Sequence, residues 1–97
     1  MIDAYLEHLR VERRLARHTV ESYARDLREL ATFAAAEGAA VESLDRPTLE
    51  AFVRQRMAEG LSPRSVARGI AAIRGYYRFL VLDRRLDRSP ADDLLPP

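Results

Sequence analysis

The chain has 97 residues, 47% hydrophobic and 32% charged, with a net charge of +1, which suits one globular domain with a real core. No apolar run nears the ~20 residues of a membrane span and no signal-peptide pattern is present, so the expectation is a cytoplasmic protein with no membrane association. Without cysteine there are no disulfides and no thiolate zinc site, and no set of side chains points to a metal or cofactor.

All sixteen basic residues are arginine. A GC-rich genome explains that choice, yet its consequence is physical, because arginine makes bidentate contacts to phosphate and guanine that lysine cannot.

Ile2 to about Arg14 reads as a first helix, with Ile2, Tyr5, Leu6, Leu9 and Arg13 spaced by three and four. A basic turn follows through His18. The second helix runs from about Thr19, a suitable N-cap, to Glu37, with Gly38 in the left-handed position beyond its end. Val20, Tyr23, Leu27, Leu30, Ala31 and Ala34 form its apolar stripe, and Glu21, Arg25 and Glu29 are spaced to pair along its outer side. Asp45 caps a third helix with Pro47 in its first turn, Leu44 set to staple onto Leu49, and Gly60 at its end. Leu61, Ser62, Pro63 and Val66 repeat the device for a fourth helix reaching about Leu82. Ser89-Pro90 predicts a short fifth turn over Ala91 to Leu94, and Leu-Leu-Pro-Pro looks like the first half of an interdomain linker. The fold class expected is an all-α bundle of four helices plus a short C-terminal turn. Residues 1–88 would be the helical domain and 89–97 the start of a linker to a C-terminal domain.

Between Gly60 and Asp83 there is no acid, while Arg64, Arg68, Arg74 and Arg78 all lie there. The rest of the chain then sums to about −3, so the excess positive charge sits on one element. At 100° per residue, Val66, Ile70, Ile73, Tyr77 and Leu80 fall on one side of this helix. Arg64, Arg68 and Arg78 fall opposite, with Ala71 and Gly75 between them. Such a face lets a grooved partner approach closely, which gives Gly75 a rationale there. Gly69, nearer the core, is expected to mark close packing against another helix. Arg74 lies about 80° from Arg64 and is expected to pair with an acid, with Asp26 the candidate. Phe79 lies near the arginine arc, and the expectation is that the tail folds over it through Leu94 or Leu95.

The second helix adds to this surface. His18, Ser22 and Arg25 lie on its solvent stripe, Thr19 is at its N-terminus, and Arg13, Arg14 and Arg17 sit just before it. A helix N-terminus with a hydroxyl and nearby arginines suits phosphate. If the second and fourth helices lie side by side with these ends together, they make one basic surface about a major groove wide. The plainer reading is solvated surface charge, but a solvated helix usually mixes signs, and the fourth helix contains no acid.

The pattern Tyr5-Leu6…Leu9…Glu12-Arg13…Leu15, then Thr19…Tyr23…Asp26-Leu27, then Gly60-Leu61-Ser62…Ser65…Arg68…Ile73-Arg74…Tyr77…Leu80, then Ser89-Pro90-Ala91 resembles the N-terminal core-binding (SAM-like) domain of tyrosine recombinases and phage integrases. The resemblance is nearest to the bacterial Xer recombinases, and Val-Glu-Arg-Arg-Leu at 11–15 leans toward the XerC branch rather than XerD. It covers nearly the whole chain, and its specificity lies in order and spacing together.

The resemblance implies a two-domain clamp around double-stranded DNA, whose second and fourth helices address the major groove. The C-terminal domain of such proteins carries a tyrosine nucleophile helped by two arginines, a lysine and histidine-type residues, and exchanges strands without metal or ATP. It further implies sister protomers in a tetrameric synapse, a septal DNA translocase as a partner, and a task in chromosome dimer resolution or DNA integration. Carried onto this chain, the DNA-binding positions are Arg64, Ser65 and Arg68 on the fourth helix, and His18, Thr19, Ser22 and Arg25 on the second. Arg17, Arg74 and Arg78 are secondary candidates. The catalytic set is missing, and Tyr5, Tyr23, Tyr76 and Tyr77 read as packing aromatics. This chain is therefore expected to bind DNA without cleaving it, the full-length parent being the enzyme. The alternative is a helical protein-interaction module with a basic docking face.

Overall fold

The computed structural model describes residues 1–96. Its order is α1 (Ile2–Val11), α2 (Arg17–Ala36), a 3₁₀ turn (Val41–Ser43), α3 (Arg46–Ala58) and α4 (Pro63–Leu82), with no strand among the described residues. The expected all-α bundle is what forms.

Local chemistry explains most helix ends. Asp45 Oδ1 accepts from the Thr48 backbone N–H at 3.0 Å and from Thr48 Oγ1 at 2.6 Å, which starts α3. Ser62 Oγ accepts from the Ser65 N–H at 3.2 Å, and Pro63 follows as the first helical residue of α4. Gly38 (φ +71) and Gly60 (φ +93) take the left-handed positions after α2 and α3. There, Ala39 N–H donates to Ala34 O and Leu61 N–H to Arg56 O, closing each helix. The end of α4 closes in the same way, but with Arg84 (φ 60) where glycine is usual.

Two boundaries differ from expectation. The second helix begins at Arg17, its cap position is Ala16 with no capping side chain, and Thr19 is its third residue rather than its cap. The first helix stops at Val11, because the chain turns through Arg14 (φ 50) and Leu15 N–H bonds back to Leu9 O at 3.1 Å, returning Leu15 to the core.

The centre of the bundle is α4, against which α1, α2 and α3 all pack. Val66, Ile70, Ile73, Tyr77 and Leu80 are buried as the helical wheel requires. So are Ala72 and Tyr76, because a helix covered from three sides buries a wider arc than a single stripe. The Tyr76 hydroxyl donates to Glu42 at 2.7 Å and the Tyr77 hydroxyl donates to the Val41 carbonyl, which pins the 3₁₀ turn to α4.

The turn expected over Ala91 to Leu94 is present, with Leu94 N–H donating to Ala91 O and Ser89 Oγ accepting from the Ala91 N–H, both at 3.0 Å. Ala91 and Leu94 are buried in the common core, whereas Leu95 and Pro96 are exposed. The core thus extends beyond residue 88, through apolar side chains spaced three apart on one turn. This tail does not cover Phe79, contrary to expectation. Phe79 packs on Tyr5 and His8, each with ring centroids 5.4 Å away, so α1 shields it.

Candidate nucleic-acid interface

Arg64 is exposed in the first turn of α4, where capping by Ser62 and the fixed φ of Pro63 set the helix start. Arg78 is exposed toward the other end, and Arg74 is half-buried between them. Among the described residues, no acid lies within ion-pair distance of any of the three. Ser65 is half-buried, and its Oγ accepts from Ser62 Oγ at 3.1 Å, so that hydroxyl belongs partly to the cap.

Arg68 is different. Its Nε donates to Asp26 Oδ2 and its Nη2 to Asp26 Oδ1, both at 2.9 Å. The Asp26 side chain is 5% exposed and that of Arg68 34%. The expected partnership of Asp26 with Arg74 is therefore corrected. The carboxylate lies beside Gly69, where a Cβ would be 3.8 Å from it, and so meets the first half of α4. These hydrogen bonds hold the guanidinium pKa above its ordinary value, against the opposing effect of burial.

The role assigned to Gly75 is corrected as well. A Cβ there would run into the Tyr5 hydroxyl, so the position is small because α1 crosses it, not because a groove partner approaches. Gly69 does face another helix, α2, through Asp26.

On α2, His18 and Arg25 are exposed, while Thr19 and Ser22 are half-buried. The expected Glu21–Arg25–Glu29 ladder does not form. Arg17 takes Glu21 at 2.9 Å, Arg56 of α3 takes Glu29 at 3.7 Å, and Arg25 donates instead to Ser22 Oγ at 3.2 Å. Among the described residues, Arg25 is thus left without an acid. The Arg17–Glu21 pair is exposed on both sides, and such pairs contribute only about 0–1 kcal/mol, so a phosphate can displace Glu21.

The two helices do not meet as the sequence suggested. Arg13, in the turn before α2, shares a surface groove with His8, Gly75, Arg78 and Phe79. Asp26, midway along α2, meets Arg68 and Gly69. The basic turn therefore lies against the C-terminal half of α4, away from Arg64. Arg64 thus stands alone at the N-terminal end of α4, while Arg13 and Arg78 share the groove at its other end. Sequence reasoning named Asp26 as the acid that takes an α4 arginine but chose Arg74, whereas the structure pairs it with Arg68.

The tyrosines pack. Burial pushes the Tyr5 hydroxyl up to about 12 and raises Tyr76 and Tyr77 as well, with Glu42 adding to the rise at both. A tyrosine nucleophile needs the opposite perturbation. Among the described residues, no group of three or more histidine or acidic side chains could hold a metal ion. No described helix is long and apolar enough to cross a membrane.

Residues 2–84 match the family described as phage integrase, N-terminal SAM-like domain. The chain belongs to that family. It is similar to tyrosine recombinase XerC of Azotobacter vinelandii (strain DJ / ATCC BAA-1303), with 39% identity in an alignment 97 residues long that covers 99% of this chain and 32% of the relative. The same name and the same 39% identity apply to relatives in Xanthomonas campestris pv. campestris (strain B100) and Pseudomonas aeruginosa (strain LESB58), of which the alignment covers 30% and 32%. No solved structure matches. The chain spans about a third of the length of the curated relatives it matches. It is an integrase-type N-terminal domain with tyrosine recombinases of the Xer kind among its relatives, and its four helices agree with that family.

Proposed function

We propose that this domain holds duplex DNA for a site-specific tyrosine recombinase, with α4 across the major groove and the turn before α2 on the adjoining backbone. The observation that carries the reading is the acid-free α4 of an integrase-family domain, on which Arg64, Arg74 and Arg78 have no acidic partner among the described residues. From Arg64 to Arg78 the helix rises roughly 21 Å at 1.5 Å per residue. That exceeds the ~12 Å width of the major groove, so a crossing helix can bring one arginine near each flanking backbone. Thr19, Ser22, His18 and Arg25 add contacts from α2, which position the domain without reading sequence.

In this reading the parent protein is the strand-exchange enzyme, and residues 89–97 begin the linker to its C-terminal catalytic domain. It works in the cytoplasm on chromosome dimers or integrating DNA. Sister protomers form the tetrameric synapse, and a septal DNA translocase is a further partner.

The test is duplex binding by fluorescence anisotropy across a salt series. Arg64→Ala and Arg78→Ala should each weaken binding and flatten the log–log salt slope by roughly 0.9, the value per phosphate released. Both side chains are exposed and have no ion-pair partner among the described residues, so the fold should move by no more than about 0.5 kcal/mol. Arg68→Ala is the wrong probe, since it also leaves the buried Asp26 carboxylate without its partner and so mixes lost stability with lost binding. If the double Arg64→Ala, Arg78→Ala chain binds as tightly as the parent at every salt concentration, this surface is not the DNA site. A parent chain that binds no duplex favours the basic face as a dock for an acidic protein.

A further inference from the structure

We propose that Asp26 is a positioning residue that decides how Arg68 meets DNA, clamping the guanidinium so that only its Nη1 end faces the groove. This deepens the DNA-binding reading and rests on it. A guanidinium carries five N–H donors. Asp26 takes the Nε donor and one Nη2 donor, both at 2.9 Å. The Nη1 atom has no partner among the described residues, yet no buried side-chain nitrogen or oxygen there lacks one. Nη1 therefore reaches solvent, from a side chain that is 34% exposed above a carboxylate that is 5% exposed.

Two consequences follow from the chemistry of the pair. The buried carboxylate neutralises the arginine, so Arg68 adds little to the sequence-blind attraction that comes from releasing phosphate counterions. An unclamped arginine swings to whichever phosphate is nearest, whereas this one is fixed before DNA arrives and loses little freedom on contact. What it still offers is the end-on edge, one N–H of Nη1 beside the free N–H of Nη2, with the second Nη1 N–H pointing back toward Cδ. That edge fits the O6 and N7 acceptors of guanine. Asp26 can hold this aim because it is itself buried on α2 against Gly69, in a wall it shares with Ser65 and Arg56. Arg68 is thereby assigned to base readout, while Arg64 and Arg78, which have no clamp, are assigned to backbone attraction.

The experiment compares three forms of the 97-residue chain, the parent, Asp26→Asn, and the paired Asp26→Leu/Arg68→Met. Each is used to select from a pool of randomised duplex DNA and is then titrated against unselected duplex over a salt series. The parent should enrich one guanine position. Asp26→Asn should lose that preference about tenfold while its salt slope steepens by roughly 0.9, because a cation has been released to the backbone. A purely structural role for the pair predicts neither change. The paired variant replaces a buried ion pair with apolar groups, which proteins commonly tolerate. It should lose the same guanine while keeping the parental salt slope. If Asp26→Asn fails to fold, the paired variant decides alone. A paired variant that selects the parental sequence, or a folded Asp26→Asn with parental slope and preference, overturns the proposal. A parent that binds no duplex overturns the DNA reading itself, and this proposal with it.

Discussion

A methyl group added at Gly75 would run into the hydroxyl of Tyr5, whose buried ring packs on Tyr76 and Phe79 with centroids 5.7 and 5.4 Å away. One added at Gly69 would meet the Asp26 carboxylate at an ordinary 3.8 Å. Both glycines cost roughly 1 kcal/mol in a helix interior, so the surroundings decide the sign of a substitution. Gly69→Ala should raise stability by about 0.5–1 kcal/mol. Gly75→Ala gains the same propensity but forces a packed ring aside, and overpacking of that kind costs about 1–3 kcal/mol. Thermal melts should rank Gly69→Ala above the parent and Gly75→Ala below it, and Tyr5→Phe should rescue the latter by removing the colliding oxygen. If Gly75→Ala melts above the parent, α1 does not cross there as described. The helical wheel placed Gly75 among the outward arginines because it resolves angles around one axis only. Which helix crosses that axis is a tertiary fact, and it also explains why Arg68 rather than Arg74 found Asp26.

Helix ends with a local chemical cause were legible, whereas the end of α1 and the start of α2 were missed. Asp45 and Ser62 carry side-chain acceptors, and Gly38 and Gly60 supply left-handed backbone, so α3, α4 and the end of α2 could be placed by reading neighbours in sequence. Ala16 has nothing to read, and the true start of α2 was missed beside the more conspicuous Thr19. The C-terminal turn shows the same division. Its Ser-Pro signal was visible, but the direction in which it folds was not. It buries Ala91 and Leu94 and lies along α3, where Arg46 approaches Asp93 at 3.6 Å, instead of shielding Phe79. Leu94 at 1% exposure should then behave as a core residue and Leu95 at 67% as a surface one. Leu94→Ala should cost about 2–5 kcal/mol. Leu95→Ala should fall within about 0.5 kcal/mol of the parent in denaturant unfolding. Equal midpoints for the two variants would remove the tail from the domain core.

At the scale of the whole molecule, composition and packing combine into an unusually clean pH experiment. The chain has no lysine and no cysteine, and arginine stays charged well above pH 12, so from about pH 9 to 12 tyrosine is the side chain left to titrate. Three of the four tyrosines tie α1, the 3₁₀ turn and α4 together. Burial is the main cause of the raised pKa at each, taking Tyr5 to about 12, and the Glu42 carboxylate opposes ionisation of Tyr76 and Tyr77 further. An acid whose folded pKa lies above its unfolded value favours folding fully at lower pH, while both states are protonated. That contribution is lost once the unfolded chain can ionise and the folded one cannot. The loss therefore begins near pH 10, the unfolded tyrosine value, and continues through about pH 12, the folded value for Tyr5. Each such group costs up to about 1.4 kcal/mol per pH unit in that window. Three together can exhaust a stability of about 5–15 kcal/mol within a few units. Phenolate absorbance and helical circular dichroism followed on one sample should therefore change together, above pH 10, with helix loss accompanying ionisation of these three. Complete ionisation of Tyr5, Tyr76 and Tyr77 near pH 10 with the helices intact would mean that the hydroxyls are in water and that the junction of α1, the 3₁₀ turn and α4 is not packed as described.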